Sequence, residues 1–408
     1  MSNRKLFARP RVATVALIAA GMAAFTVPTL AQAAPPEGRV KVMTRNLYLG
    51  ASLSPALEAA DTAALAFATT GIWNTVQYTD FPQRAKLLAE EIAENKPDLV
   101  GLQEVTTYRE DVIDEQIDEN GPDPGDPLNN VQDGPFTPAT AVRYDFLKSL
   151  MRELRKDGAD YRVVITAREA DVEVPATDRD KRLTMRDVIL AREGAGVKTN
   201  LEDRGRYDNL LEISAAGGAL DVTVDRGWAF AEANVRGTKF RFLNTHLEAF
   251  GDADQPAGQL RESQAEELIA SFPPAAKPGP ATYQSAGMPV VAVGDFNSDD
   301  DTVSGDDQLA YNALTSGPNA LTERSTLGGV ENSCCFEAVT IDEDPATALD
   351  DLDHHIDKVF VTDPDISEVK SKVVGNTKRI ASAVVSPHML WPSDHNGVIT
   401  TLQFPTSD

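Results

Sequence analysis

The chain has 408 residues, 42% of them hydrophobic and 25% charged, with a formal net charge of −25. These proportions are globular and exclude a disordered chain, a coiled coil, a collagen-like fibre and a disulfide scaffold, and the length allows a full core without metal or disulfide staples. The balance of 63 acidic against 38 basic residues argues against a broad basic face for passive binding to nucleic acid or anionic membrane, though not against an enzyme that meets phosphate at one metal-charged spot.

The N-terminus reads as an export signal. Arg4, Lys5, Arg9 and Arg11 precede a mostly apolar run from Val12 to Leu30, and Ala31-Gln32-Ala33 supplies a small-x-small cleavage site. Residues 1–33 are therefore expected to be removed, leaving a soluble, secreted or periplasmic protein. No later segment is long and apolar enough to span a bilayer. After an Ala/Pro/Gly tether at 34–38, Val40–Leu47 alternates as a strand, and Pro55–Thr69 is Ala/Leu-rich and predicts a helix. Phe81–Asn95 has the spacing of an amphipathic helix, stopped by Lys96-Pro97, and Leu99–Val105 reads as a buried strand.

Val105–Ala141 breaks the pattern. It holds nine acidic residues against one basic, Arg109, with Pro and Gly clustered at 121–127. It reads as an exposed insertion within a domain spanning 38–405. Beyond it, a helix is expected over Tyr144–Arg155 and strands over Tyr161–Ala167 and Val188–Arg192. Trp228–Val235 and Lys239–Leu247, flanking Arg236-Gly237-Thr238, predict a hairpin. Glu262–Ser271 reads as a helix, Pro289–Val293 as a buried strand, and Ile356–Val361 and Gly397–Phe404 as further strands. Strands that alternate and strands that are apolar throughout, with helices between, make the class α/β with at least two strand environments. The two cysteines, Cys334 and Cys335, are adjacent, which leaves a vicinal disulfide or two thiols open; they are too few for a structural zinc site.

Polar residues cluster just beyond apolar strands, where α/β enzymes place their active groups. They are Arg45-Asn46-Leu47, Gln103-Glu104, Asn244-Thr245-His246-Leu247-Glu248, Gly294-Asp295-Phe296-Asn297, His355-Ile356-Asp357 and Ser393-Asp394-His395. Singly, each has a bland reading as a turn former, a solvated loop or a structural histidine. Together they form a set of hard oxygen ligands and acid/base groups, which select Mg²⁺, Mn²⁺ or Ca²⁺ over zinc. Asp295, Asn297, Asp299 and Asp301 alternate like a calcium loop. However, the sixth and twelfth positions are Asp300 and Asp306, not the Gly and Glu that an EF-hand requires.

In order and identity these motifs resemble the endonuclease/exonuclease/phosphatase superfamily, the deoxyribonuclease I-like proteins, from about Val40 to Phe404. Gln259–Leu268, with Arg261 and Gln264, matches the helix after the Thr-His motif. The span between Glu104 and His246 is longer than in compact members. The resemblance implies a four-layer α/β sandwich of two packed mixed β-sheets flanked by helices. It also implies a secreted, divalent-metal-dependent phosphodiesterase, working with Mg²⁺ or alternatively Mn²⁺ or Ca²⁺. By the same resemblance Glu104 is the primary metal ligand, with Asn46 near the metal and Asp394 as a further ligand. Asp295 positions or deprotonates water, Asn297 fixes water or phosphate, and His246 donates to a non-bridging oxygen. His395 contacts phosphate and moves a proton, oriented by Asp357. His355 is a candidate contact behind them, whereas His354 reads as a surface residue and His388 as a loop histidine, with a place at the pocket mouth as its alternative.

A monomer acting on a phosphodiester substrate is expected. Nucleic acid comes first, with Arg45, Arg143, Arg186, Arg192 and Arg204 available to meet it. A phospholipid, as in a sphingomyelinase or phospholipase C, comes second, with Trp73 and Trp391 as isolated candidates for bilayer entry. Small phosphate esters come third. An inactive binding module of this fold should have lost a charged ligand, and none is missing.

Overall fold

In the computed structural model the chain enters the fold through β1 (Arg39–Asn46). A turn of helix, α1 (Ser54–Leu57), and two longer helices, α2 (Thr62–Tyr78) and α3 (Phe81–Asn95), follow. Next come β2 (Leu99–Gln103), β3 (Thr107–Glu110), β4 (Ala141–Asp145) and α4 (Phe146–Lys156). Three long strands, β5 (Tyr161–Val174), β6 (Lys181–Arg192) and β7 (Val197–Arg206), precede a small hairpin of β8 (Leu211–Ala215) and β9 (Leu220–Val224). The expected hairpin is β10 (Gly227–Val235) and β11 (Thr238–His246), followed by α5 (Ala257–Ala270), β12 (Val290–Asp295) and α6 (Gln308–Thr315). The chain closes with β13 (Thr322–Glu323), β14 (Asp357–Val361), β15 (Ser367–Val374), the pair β16 (Ile380–Ala381) and β17 (Met389–Leu390), and β18 (Gly397–Gln403). The structure describes residues 37–111, 139–251, 256–270, 288–300, 308–326, 332–336, 352–384 and 389–406. The expected export signal, most of the acidic segment and His388 lie outside them.

Local chemistry moves several boundaries. The helix expected over Pro55–Thr69 is two helices, because Asp61 accepts the Ala64 N–H at 2.8 Å and caps a new start that runs to Tyr78. The helix expected from Tyr144 starts at Phe146, where Asp145 accepts the Lys148 N–H at 3.0 Å. The acidic stretch begins inside the fold, not outside it: β3 pairs with both β4 and β6, and Tyr108, Glu110 and Asp111 are buried. Glu110 tolerates that burial because Arg143, Arg179 and Lys181 surround it.

Two mixed sheets pack face to face. One has the order β15-β18-β1-β2-β6-β3-β4, with β5 also paired to β6; the other runs β13-β14-β12-β11-β10-β7. Alternate residues of each strand fill the space between them: Val40, Val42, Leu99 and Ile189 from the first sheet meet Phe240, Phe242, Val291 and Val359 from the second. The outer face of the first sheet carries Met43, Val100 and Leu190 against α2, α3 and α4. The outer face of the second carries Phe230, Leu243 and Phe360 against α5 and α6. The architecture is therefore helix–sheet–sheet–helix, a four-layer α/β sandwich. No helix among the described residues is long and apolar enough to cross a membrane.

A polar seam fixes how the sheets sit on each other. Gln103 takes a hydrogen bond from Thr44 and donates to Asn244 Oδ1 at 2.6 Å, and Asn244 donates back across the gap to Leu102 O at 3.0 Å. Glycine is required at 101 because a Cβ there would lie 2.5 Å from both Asn244 Oδ1 and Val293 Cγ2.

A candidate active site at one end of the two sheets

The period-two alternation that buries Val40, Phe242, Val293 and Val359 between the sheets places Asn46, His246, Asp295 and Asp357 on the same inward face. Strand direction brings them to one end. β1 pairs parallel to β2 and β11 parallel to β12, so Asn46, Gln103, His246 and Asp295 are all carboxyl-terminal residues. β14 runs antiparallel to β12 and β18 antiparallel to β1, so Asp357 and the Ser393–His395 turn enter from the same end. Glu104 and Asn297 follow their strands in left-handed backbone, at φ 58° and 47°, a conformation uncommon outside glycine that re-aims a side chain at a turn.

Asp295 is the centre. Its Oδ2 accepts Asn46 Nδ2 from the opposite sheet at 3.0 Å, and it lies 3.4 Å from His246 Nε2 and 3.8 Å from His395 Nε2. Its Oδ1 accepts the Asn297 N–H at 3.0 Å. Behind His395, Asp357 Oδ2 stands 2.8 Å from Nδ1. Ser393 joins this end to β1 by donating to Asn46 O at 2.9 Å. Glu104 Oε2 accepts the Leu49 N–H at 2.6 Å. Asn46 is engaged at both ends of its amide, since its Oδ1 accepts the Tyr48 N–H at 2.8 Å; it clamps Asp295 in place.

The electrostatics are those of excess buried acid. Burial, helped by Asp357, raises Asp295 to about 6, and burial with Glu104 beside it raises Asp394 to about 6. Glu104 is raised by burial and by Asp295. Burial works against charge on His395, yet Asp357, Asp295 and Asp394 hold its pKa well above the ordinary value. His246 goes the other way, well below its ordinary value, through burial and the nearby cations Arg226 and His395. One buried carboxylate, Asp295, and two half-buried ones, Glu104 and Asp394, close enough to raise one another's pKa, suit a hard divalent cation. Ligand atoms of Asp295, Asp357 and His395 also gather closely enough for a metal, all within 4.8 Å of one another. Asp357 Oδ2 and His395 Nδ1 are engaged with each other, and Glu104 and Asp394 bring two more carboxylates to the same pocket.

Arg226 is the residue that sequence reading missed. It precedes β10 with no motif around it, and its only signal is a cation next to a buried strand. It is buried, with NH1 2.8 Å from His246 Nδ1 and Nε 3.5 Å from Glu248 Oε2. A guanidinium only donates, so Nδ1 accepts and the proton of the neutral ring sits on Nε2, facing Asp295. Glu169 and Asp187 lie in the same electrostatic cluster, both fully buried and pushed well above the ordinary carboxylate range by burial, with Arg226 pulling them back.

Other expectations change. None of the five arginines proposed for substrate is free. Arg45 pairs with Glu91 and donates to His395 O, Arg143 pairs with Glu110, Arg186 donates to Thr107, Arg192 pairs with Asp98, and Arg204 donates to Thr166 O. Trp73 and Trp391 are buried, not exposed for a bilayer; Trp391 stacks on Phe336 at 4.9 Å. His355 joins a separate cluster, 3.4 Å from Lys358 Nζ and 3.8 Å from Glu323 Oε1. Arg261 and Gln264 hold the Glu248 backbone from α5. Cys334 and Cys335 are disulfide-bonded, and Cys334 Sγ is 3.5 Å from His395 Nε2. Their loop supports the site: Ser333 O accepts the Asn396 N–H at 2.6 Å, and Phe336 N–H donates to Asp394 O at 2.8 Å.

A cavity of about 430 Å³ opens onto Glu104, His246, Asp295, Asn297, Asp394 and His395. Carboxylates, imidazoles and amides thus meet around one pocket on this sandwich. The model of the endonuclease/exonuclease/phosphatase family matches residues 73–240. A search of curated proteins found no match. Among solved structures, the chain is similar to an endonuclease/exonuclease/phosphatase family protein from Bacteroides thetaiotaomicron, with 16% identity, coverage of 90% of this chain and 98% of the other, and TM-score 0.48. It is also similar to D. rerio TDP2 complexed with single-strand DNA product (13%, 90% and 100%, TM-score 0.47). A third is the mannosyl-6-phosphatase of Bacteroides thetaiotaomicron (16%, 90% and 100%, TM-score 0.46).

Proposed function

We propose that the protein is an exported, divalent-metal-dependent phosphodiesterase. The observation that carries this reading is the convergence of His246 Nε2 and His395 Nε2 on Asp295 Oδ2, at 3.4 and 3.8 Å, beside the carboxylates of Glu104 and Asp394. Glu104 and Asp394 would hold a divalent cation, which would supply charge neutralisation at the phosphoryl group. Asp295, with a pKa of about 6, is mostly ionised at neutral pH and accepts the proton of the attacking water. Water oxygen bonds to phosphorus and the ester P–O bond breaks. His246 donates its Nε2–H to a non-bridging oxygen as charge builds there. His395, kept protonated by Asp357, stands by the phosphate and gives a proton to the leaving alkoxide. The opposite shifts of His246 and His395 support this division of labour, with Asp295 as the proposed base.

Export rests on the sequence pattern of residues 1–33, and nucleic acid is the substrate that the motif set puts first. The test is a panel of plasmid DNA, RNA, sphingomyelin and bis-p-nitrophenyl phosphate, each with Mg²⁺ and with EDTA. Hydrolysis of at least one ester that EDTA abolishes and Mg²⁺ restores is expected. Inactivity on all four with metal present overturns the reading.

A further inference from the structure

The cavity has two unlike ends. One is the polar cluster just described. The other runs beneath the β8–β9 hairpin, which belongs to neither large sheet and is seated on the α1–α2 connection by the Ala216 N–H to Ala59 O bond at 2.8 Å. Period two organises this end. Leu220, Val222 and Val224 of β9 line the cavity, while Asp221 and Thr223 between them are exposed. On β5, Ala170, Val172 and Val174 line it in the same way. The β9 side chains are only half-buried, so this apolar face borders open space, unlike the sealed cores between the layers.

We propose that this arm holds an unbranched alkyl or acyl chain carried by the phosphate ester, making the preferred substrate a lipid-like phosphodiester. The proposal rests on the phosphodiesterase reading and refines its substrate. A cavity of about 430 Å³ is the size of a small-molecule site, and such sites are mostly apolar with few placed polar groups. A nucleobase would bring a polar edge into this arm and leave it unpaired against hydrocarbon. A nucleic-acid backbone would need free cations, and those lining the arm are committed: Lys181 to Glu110 and Asp178, Arg182 to Asp171 and Glu173. An alkyl chain asks for neither, and its ester end reaches the catalytic groups through the same continuous cavity.

The test is a series of p-nitrophenyl phosphodiesters whose second ester group is methyl, butyl or octyl, assayed with Mg²⁺ below their aggregation concentrations. The leaving group is constant, so the ratio of kcat/KM values isolates the chain. Complete burial of a methylene is worth about fourfold, and partial burial across the series predicts an octyl-to-methyl ratio of at least ~10². Val222→Glu, which places a charge in the arm, lowers that ratio at least tenfold, and Thr223→Lys on the exposed face of the same strand leaves it in place. Binding of octyl phosphate against methyl phosphate by calorimetry reads the same preference without turnover. If no ester is hydrolysed, the phosphodiesterase reading fails while calorimetry still decides the arm. If the methyl ester is hydrolysed but neither rate nor binding rises with chain length, the inference is overturned and the reading stands. A single-stranded DNA oligonucleotide cleaved more efficiently than the octyl ester also overturns it.

Discussion

Replacing Arg226 with Met keeps most of the apolar stem and removes the charge. The side chains of Arg226 and Glu248 are 4% and 0% exposed, so the change leaves a buried carboxylate without its counter-ion. Breaking a buried pair in this way costs about 3–5 kcal/mol. The His246 Nδ1 acceptor also loses its donor, worth about 1–3 kcal/mol in isolation. The two losses share one residue and one patch of packing, so they do not add fully, and about 3–5 kcal/mol is the expected total. Urea unfolding with linear extrapolation resolves a change of that size.

The loss should depend on pH, and its sign follows from the neighbours. Glu169 and Asp187 already bind protons more readily in the folded chain than in the unfolded one. A carboxyl raised on folding contributes stability that is present below its unfolded pKa, about 4, and lost as pH rises through the folded value. Without Arg226 both groups rise further, so the penalty of Arg226→Met is larger at pH 8 than at pH 5. Adding Glu248→Gln to Arg226→Met recovers part of it. In the folded variant kcat falls about 10–100-fold, the usual effect of removing the group that orients a working imidazole. A loss below about 1 kcal/mol at pH 8, or one that does not change with pH, would refute the role assigned to this cluster.

Glu104→Gln raises the Mg²⁺ concentration needed for half-maximal rate while leaving the unfolding midpoint nearly unchanged; full activity of the wild type after exhaustive chelation would sink the metal role. His246→Ala and His395→Ala each lower kcat by at least ~10²-fold, and the double variant loses far less than the product because the two act on one group; unchanged kcat with lowered thermal stability would reduce both to structural histidines. Asp180, raised to about 6 by burial, Glu173 and Asp111 against the pull of Lys181, costs stability once pH passes that value. Asp180→Asn therefore raises the unfolding temperature at pH 7.5 and not at pH 4. Gly101→Ala forces a Cβ to 2.5 Å from Asn244 Oδ1, so the sheets must part. About 1–3 kcal/mol of stability is lost, and kcat falls with it because Asn46 and Asp295 sit on opposite sheets.

Those features whose cause is local in sequence were legible. The helix Phe81–Asn95 has its expected bounds because both of its ends are written in adjacent residues: Pro82 in its first turn, and Lys96-Pro97 after it. The hairpin around Arg236-Gly237 is fixed by its turn. The motifs Asn46, Glu104, His246, Asp295, Asp357 and His395 stood out because each polar group sits at or just beyond the end of an apolar strand. Where the cause is a partner far along the chain, the sequence said less. β5 and β6 extend well past their apolar halves because cross-strand pairs such as Arg182–Asp171 replace hydrophobic contact. β3 hid in an acidic run whose Glu110 is neutralised by three cations, each at least 33 positions away.

The same distinction separates chemistry from substrate choice. The reacting groups hang from strand ends that pair rigidly and are keyed across the sheets by Gln103 and Asn244. Their positions follow from sheet geometry that any phosphate ester would use. The apolar arm is built from elements outside the sheet-to-sheet core: a free-standing hairpin, helices α1 and α2, and the extended end of β5. No charge or motif marks those residues, since Leu220, Val222 and Val224 read like any short strand. Substrate preference therefore sits in the part of the chain with the weakest sequence signal. It becomes visible once the alternation of β9 and β5 is seen to face a cavity that ends at Asp295.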